Sequence, residues 1–158
     1  MKATVVVALA LAAFAAGARA QPADRHEGYY YPIPTSSETY VARARVLIDA
    51  SRSKRLDFVN GLTASQLAAA AAPDYVVFAK GDRADRLIVV SLVSGRLDTV
   101  YRARALLAQL TSVARGSAFL QDYGVDELFT FLDVLKLLGF TRLTVSDGDA
   151  FAHQIAIR

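Results

Sequence analysis

Two runs near the middle of the chain limit its fold more than any other feature. Tyr75-Val76-Val77-Phe78-Ala79 and Leu87 to Leu92 are too continuously apolar to lie half exposed, and a charged connection from Gly81 to Arg86 separates them. Short segments of this kind, rich in β-branched residues and joined through turn-type residues, read as adjacent central strands of a sheet. Buried central strands need helices or a second layer to cover them.

The remaining elements follow from changes of period. From Leu97 to Arg115 the apolar residues Val100, Ala103, Leu107, Leu110 and Ala114 recur at three and four, which predicts an amphipathic helix ending at Gly116. A further helix is expected from Asp126 to Leu138, stopped by Gly139. Only Glu127, Thr130, Asp133 and Lys136 interrupt its apolar residues, so a narrow polar strip on an otherwise enclosed helix is expected. Thr63 followed by Gln66 fits a capping box opening a helix that Pro73 stops. Thr39 to Ile48 and Arg55 to Val59 read as a hairpin broken at Asp49-Ala50-Ser51-Arg52-Ser53. At the C-terminus, Thr141 to Ser146 and Phe151 to Ile157 alternate about Asp147-Gly148-Asp149, the strongest short hairpin signal in the chain. The order hairpin, helix, hairpin, helices, hairpin predicts an α+β fold. Its sheet is expected to be mainly antiparallel, with about six strands and the helices largely on one face.

The first twenty residues carry the parts of an export signal in order. Lys2 is the positive start, Ala3 to Ala16 (ATVVVALALAAFAA) is an uncharged apolar run, and Ala18-Arg19-Ala20 is a small-x-small cleavage pattern. A retained membrane anchor needs roughly 20 apolar residues, and Arg19 ends this run early. The expected organisation is therefore a cleaved signal over 1–20, a lead-in and Tyr/Pro arm over 21–38, and one domain over 39–158. The expected location is periplasmic or secreted, with no integral span after cleavage. Loss of Lys2 and Arg19 leaves 16 cations against 15 acids, so the whole-chain basicity says little about partners. Arg and Asp alternate rather than forming a basic stripe, which argues against nucleic acid. The chain has no Cys, which excludes a disulfide framework, thiolate metal site and cysteine nucleophile.

Four features are candidates for function. His153, beside Ser146, Asp147 and Asp149, has the residue types of a general base with orienting carboxylates. Strand parity instead puts His153 on the apolar side with Phe151, Ile155 and Ile157, and a core histidine is the commoner explanation; G-x-S-x-G is absent, so Ser146 has no support as a nucleophile. Asp147 and Asp149 offer two carboxylates to a hard cation, too few to define a site, and no metal or other cofactor is expected. Tyr29, Tyr30 and Tyr31, stiffened by Pro32 and Pro34, suit a partner or glycan contact, although packing back on the domain is the commoner explanation. The enclosed helix from Asp126 to Leu138 belongs in the core first and at a partner surface second.

The stretches YYYPIPTSSETY, VVFAKGDRADRLIVV, VYRARALLAQL and LLGFTRLTVSDG together resemble a family of small exported proteobacterial proteins. Some members carry the label molybdopterin-guanine dinucleotide biosynthesis protein A. The nucleotidyltransferase of that name opens with a phosphate loop of the type L-A-G-G-x-S-x-R-M-G, and no such stretch occurs here. The resemblance implies an exported location and transfers no catalytic residue. With no nucleophile motif, metal set or phosphate loop, the favoured expectation is a non-catalytic binding or accessory protein with a protein partner in the cell envelope. The alternative is a small hydrolase-like envelope enzyme working through Asp147, Asp149 and His153.

Overall fold

The computed structural model describes residues 31–117, 120–121 and 124–158. Within them the chain runs β1 (Ser36–Tyr40), α1 (Arg52–Leu67), β2 (Tyr75–Lys80), β3 (Arg86–Ser91), α2 (Val100–Arg115), α3 (Phe131–Leu137), β4 (Arg142–Ser146) and β5 (Ala152–Ile157). The fold is α+β. The expected export signal, together with Tyr29 and Tyr30, lies outside the described residues.

The sheet has five strands in the order β1-β5-β4-β3-β2 and is mixed, which corrects the expectation of about six mainly antiparallel strands. The two hairpins read from sequence, β2/β3 and β4/β5, are antiparallel, whereas β3/β4 and β1/β5 are parallel. The connection from β3 to β4 passes through α2 and α3, and a helical crossover returns the chain in its starting direction. The expected first hairpin does not exist. Ser51 sits at the N-cap of α1, its hydroxyl accepting from the Lys54 N–H at 3.2 Å, so Arg55 to Val59 is helical. Arg55, Val59 and Leu62 then turn to the same side at helical spacing, and β1 finds its partner in β5, more than a hundred residues away. Thr63 is accordingly not a cap. It lies inside α1 with its hydroxyl donating to the Val59 carbonyl, while the Gln66 amide donates to the Tyr75 carbonyl on β2.

The three described helices cover one sheet face. Val59 from α1, Ala103, Leu106 and Leu110 from α2, and Phe131, Leu132 and Leu135 from α3 pack with Val77, Leu87, Val89, Leu143, Val145, Ile155 and Ile157. On the other face a smaller cluster joins Tyr31 with Ile88 and Ala152, flanked by Phe78 and Val90. Tyr31 is 4% exposed there, and β1 opens at Ser36, before the expected domain start at residue 39.

The helix expected over 126–138 is shorter, covering Phe131–Leu137. Thr130 is its N-cap, and Thr130 and Asp133 form a capping box that fixes where it begins. The expected polar strip is therefore not a solvent face: Asp133 is fully buried. Gly139, at φ +80°, ends the segment in a left-handed conformation, and a Cβ there would stand 2.9 Å from Arg55 Nη1. That guanidinium is itself buried and donates to the Leu138 and Arg83 carbonyls, tying α1 to the end of α3 and to the β2–β3 turn.

Candidate functional site

A strongly apolar hollow lies between the helices. Phe58 and Leu62 of α1, Leu110, Val113 and Ala114 of α2, and Phe131, Val134 and Leu137 of α3 line a cleft of 310 Å³. Leu120 and Leu138 complete it among the described residues, where Ser117 alone of the lining has a polar side chain. Its wall forms where apolar residues at helical spacing, Phe58 and Leu62 on α1, Leu110 and Ala114 on α2, and Phe131 and Val134 on α3, line the same space. The Phe58 ring stands 6.2 Å from both Phe131 and Phe140, which braces the cleft's inner side. Val113 is 65% exposed, so the cleft meets solvent at an apolar rim. A volume of this size is at the lower end of the about 300–1,000 Å³ usual for small-molecule sites.

A larger hollow of 510 Å³ sits beside the start of α2, with Asp74, Arg96 and Arg102 in its lining. Its charges are already engaged: Arg96 pairs with Asp74 at 2.7 Å and Arg102 with Asp98 at 2.9 Å. Those pairs are half exposed, so the hollow offers a ligand little that water does not.

His153 lies on β5, one strand in from the β1 edge of the sheet. It is 2% exposed, on the helix-covered face beside Val145, as its parity with Ile155 and Ile157 requires. The structure places it with Ser36 and Glu38 of β1. Ser36 Oγ is 2.8 Å from Nδ1, and Glu38 Oε1 is 3.3 Å from Nε2, which has no well-directed hydrogen bond. Glu38 also pairs with Arg104 of α2 at 2.5 Å. Partial burial pushes the Glu38 carboxyl up, but Arg104 and His153 outweigh it and hold the group below the ordinary carboxylate value.

Asp147 and Asp149 are elsewhere engaged or solvated. One Asp147 oxygen accepts the N–H groups of Asp149, Ala150 and Phe151, which folds the β4–β5 loop, and Asp149 is exposed. Among the described residues no hydrogen bond or ion pair joins either carboxylate to His153. Ser146 is buried and donates to the Phe151 carbonyl. No group of three or more His, Asp or Glu able to hold a metal occurs among the described residues. No helix there is long and apolar enough to cross a membrane.

Sequence reasoning missed Ser36 and Glu38 because they meet His153 only through the parallel pairing of β1 with β5. It missed the cleft because each wall is an ordinary amphipathic face when seen alone. No protein-family model, curated protein or solved structure matches this chain.

Proposed function

We propose that the chain is an exported, non-catalytic binding protein whose ligand is apolar and enters the cleft between the three helices. The observation that carries the reading is the cleft's lining, nearly all hydrocarbon and open at Val113. Such a surface discriminates by shape and hydrophobicity and offers no set of polar groups to a reacting centre. The signal-like residues 1–20 and the resemblance to small exported proteins support the location. Tyr31, buried beneath the sheet, leaves the Tyr/Pro arm less of its surface for a partner.

Titration with an environment-sensitive apolar fluorophore, competed with medium-chain alcohols, tests the site. The protein should bind and release the dye competitively, and Ala114→Phe, which fills the cleft, should weaken binding at least tenfold with an unchanged melting curve. Equal affinity in the variant defeats the assignment. Export is tested separately by intact mass, which should show loss of residues 1–20.

The Ser36, His153 and Glu38 contacts favour a second reading, an esterase-like site. Ser36 would attack an ester carbonyl as its proton passes to His153 Nδ1, with Glu38 steadying the Nε2–H. The same proton would pass to the departing alkoxide as the ester C–O bond breaks and the alcohol leaves, and water, deprotonated by His153, would then displace Ser36 and release the acid. Covalent labelling of Ser36 by a fluorophosphonate, lost in His153→Ala, is its expected signature. No added mass on Ser36 rules it out.

A further inference from the structure

The ten residues between β1 and the cap of α1 combine outward apolar side chains with exposed arginines, Arg43 on the Leu128 carbonyl and Arg45 without a carboxylate among the described residues. Ala42 and Ala44 turn inward along α3, while Val41, Arg43, Arg45, Val46 and Ile48 are exposed. Backbone bonds from Arg43 N–H to Asp133 and from Leu47 N–H to the Leu137 carbonyl fix this path, so the outward row is held on a rigid base. The chain then turns through Leu47-Ile48-Asp49-Ala50, closed by the Ala50 N–H on the Leu47 carbonyl at 3.0 Å. Ile48 occupies the first central position of that turn and is completely exposed, with Val41 76% and Val46 50% exposed. Turn tips ordinarily carry Gly, Pro, Asn, Asp or Ser. A large β-branched side chain projecting from one loses contact with every apolar neighbour unless something outside the molecule covers it.

The charge around the tip is one-sided. Asp49 is the sole carboxylate between Val41 and Lys54, and Lys54 pairs with it. Arg45 and Arg52, on either side of the tip, are exposed, and among the described residues no carboxylate pairs with either. We propose that this turn docks on an anionic phospholipid bilayer, with Ile48 entering the interface and Arg45 and Arg52 meeting the lipid phosphates. Apolar tips ringed by arginine fit such a surface because the bilayer supplies hydrocarbon and negative charge within a few ångströms of each other. The inference is independent of what fills the helical cleft.

Co-sedimentation of the full protein with phosphatidylglycerol/phosphatidylcholine vesicles, and with phosphatidylcholine alone, tests it. Binding to the anionic vesicles, weakened by salt, is expected. The Arg45→Ser, Arg52→Ser double variant should bind about 25-fold more weakly, roughly fivefold for each arginine. Ile48→Ser should lose about tenfold. Both variants should keep the parent melting curve, since the replaced side chains are exposed. Equal binding by parent and variants, as contact through residues 1–20 would give, overturns the proposal. So does equal binding to neutral vesicles, or an effect of the arginines without one of Ile48. If vesicles are not bound but soluble polyglutamate is, and the double variant loses it, the patch is a site for acidic protein and the bilayer assignment fails.

Discussion

The two ends of β1 are held by buried ionisable groups whose hydrogen bonding differs in completeness. At the Tyr40 end, the Asp133 carboxylate accepts the Arg43 N–H at 2.7 Å, and the Tyr40 hydroxyl, the Thr130 N–H and the Thr130 hydroxyl at 2.9 Å each. Burial alone would raise its pKa, yet those donors prevail and hold it below the ordinary aspartate value. At the Ser36 end, His153 has one good partner in Ser36 and a second nitrogen that meets Glu38 only at 3.3 Å. Both ends join β1 to chain about a hundred residues away, so both anchor an edge strand. The difference teaches that removing a fully satisfied buried group strands more partners than removing one with a single good hydrogen bond.

Removing the complete cluster should do the most damage. Asp133→Ala leaves the Arg43 and Thr130 N–H groups without their acceptor, while the Tyr40 hydroxyl keeps Thr130 Oγ1 at 2.9 Å, and it should lower stability by about 3 kcal/mol, read from urea unfolding. A loss below about 1 kcal/mol would mean that water or neighbouring oxygens replace the carboxylate, and the contrast between the two ends would collapse.

His153→Ala should lower stability less, by about 1 to 3 kcal/mol, because fewer groups lose a partner. The same urea curves provide the comparison. Should His153→Ala prove as damaging as Asp133→Ala, the Ser36 end is as essential as the other. Loss of an esterase activity with an unchanged melting curve would move His153 from anchor to catalyst.

The smallest expected effect is a difference in acid sensitivity. Glu38 and Asp133 both have folded pKa values below those of the unfolded chain, about 4.3 and 3.9. Their contribution is therefore fully present above about pH 5, and it is lost as pH falls through the unfolded and then the folded values. Urea midpoints between pH 3 and 6 should fall on acidification in the parent. Asp133→Asn should flatten that slope more than Glu38→Gln, whose carboxylate is partly solvated. The reverse order would show that the His153 end carries the acid dependence.

How much was legible in advance depended on how local each signal was. The β2/β3 pair, the long helix before Gly116 and the C-terminal hairpin are specified by neighbours in sequence, and they stand close to where period and turn residues put them. Arg55 to Val59 is the contrary case. Its apolar spacing allows strand or helix, and the cap at Ser51 together with the contact of Arg55 to the Leu138 and Arg83 carbonyls decides for helix. Asp133 looked like part of a polar strip because Glu127, Thr130, Asp133 and Lys136 recur every three residues, a spacing that usually marks a solvated face.

The candidate site divides in the same way. His153 was correctly placed on the apolar face by parity with Ile155 and Ile157, since strand alternation is a property of the strand alone. Its partners belong to β1 and could not be named, because which strand borders an edge depends on the whole sheet. By itself, then, the sequence determined the α+β class, the two hairpins and the inward faces of α2 and β5. The tertiary structure alone decided the parallel pairing of β1 with β5, the donors around Asp133, and the cleft where three apolar faces leave 310 Å³ between them. The physical reason is range: periodicity and capping act over a few residues, whereas strand order, buried hydrogen bonds and leftover volume arise only when distant segments compete for the same space.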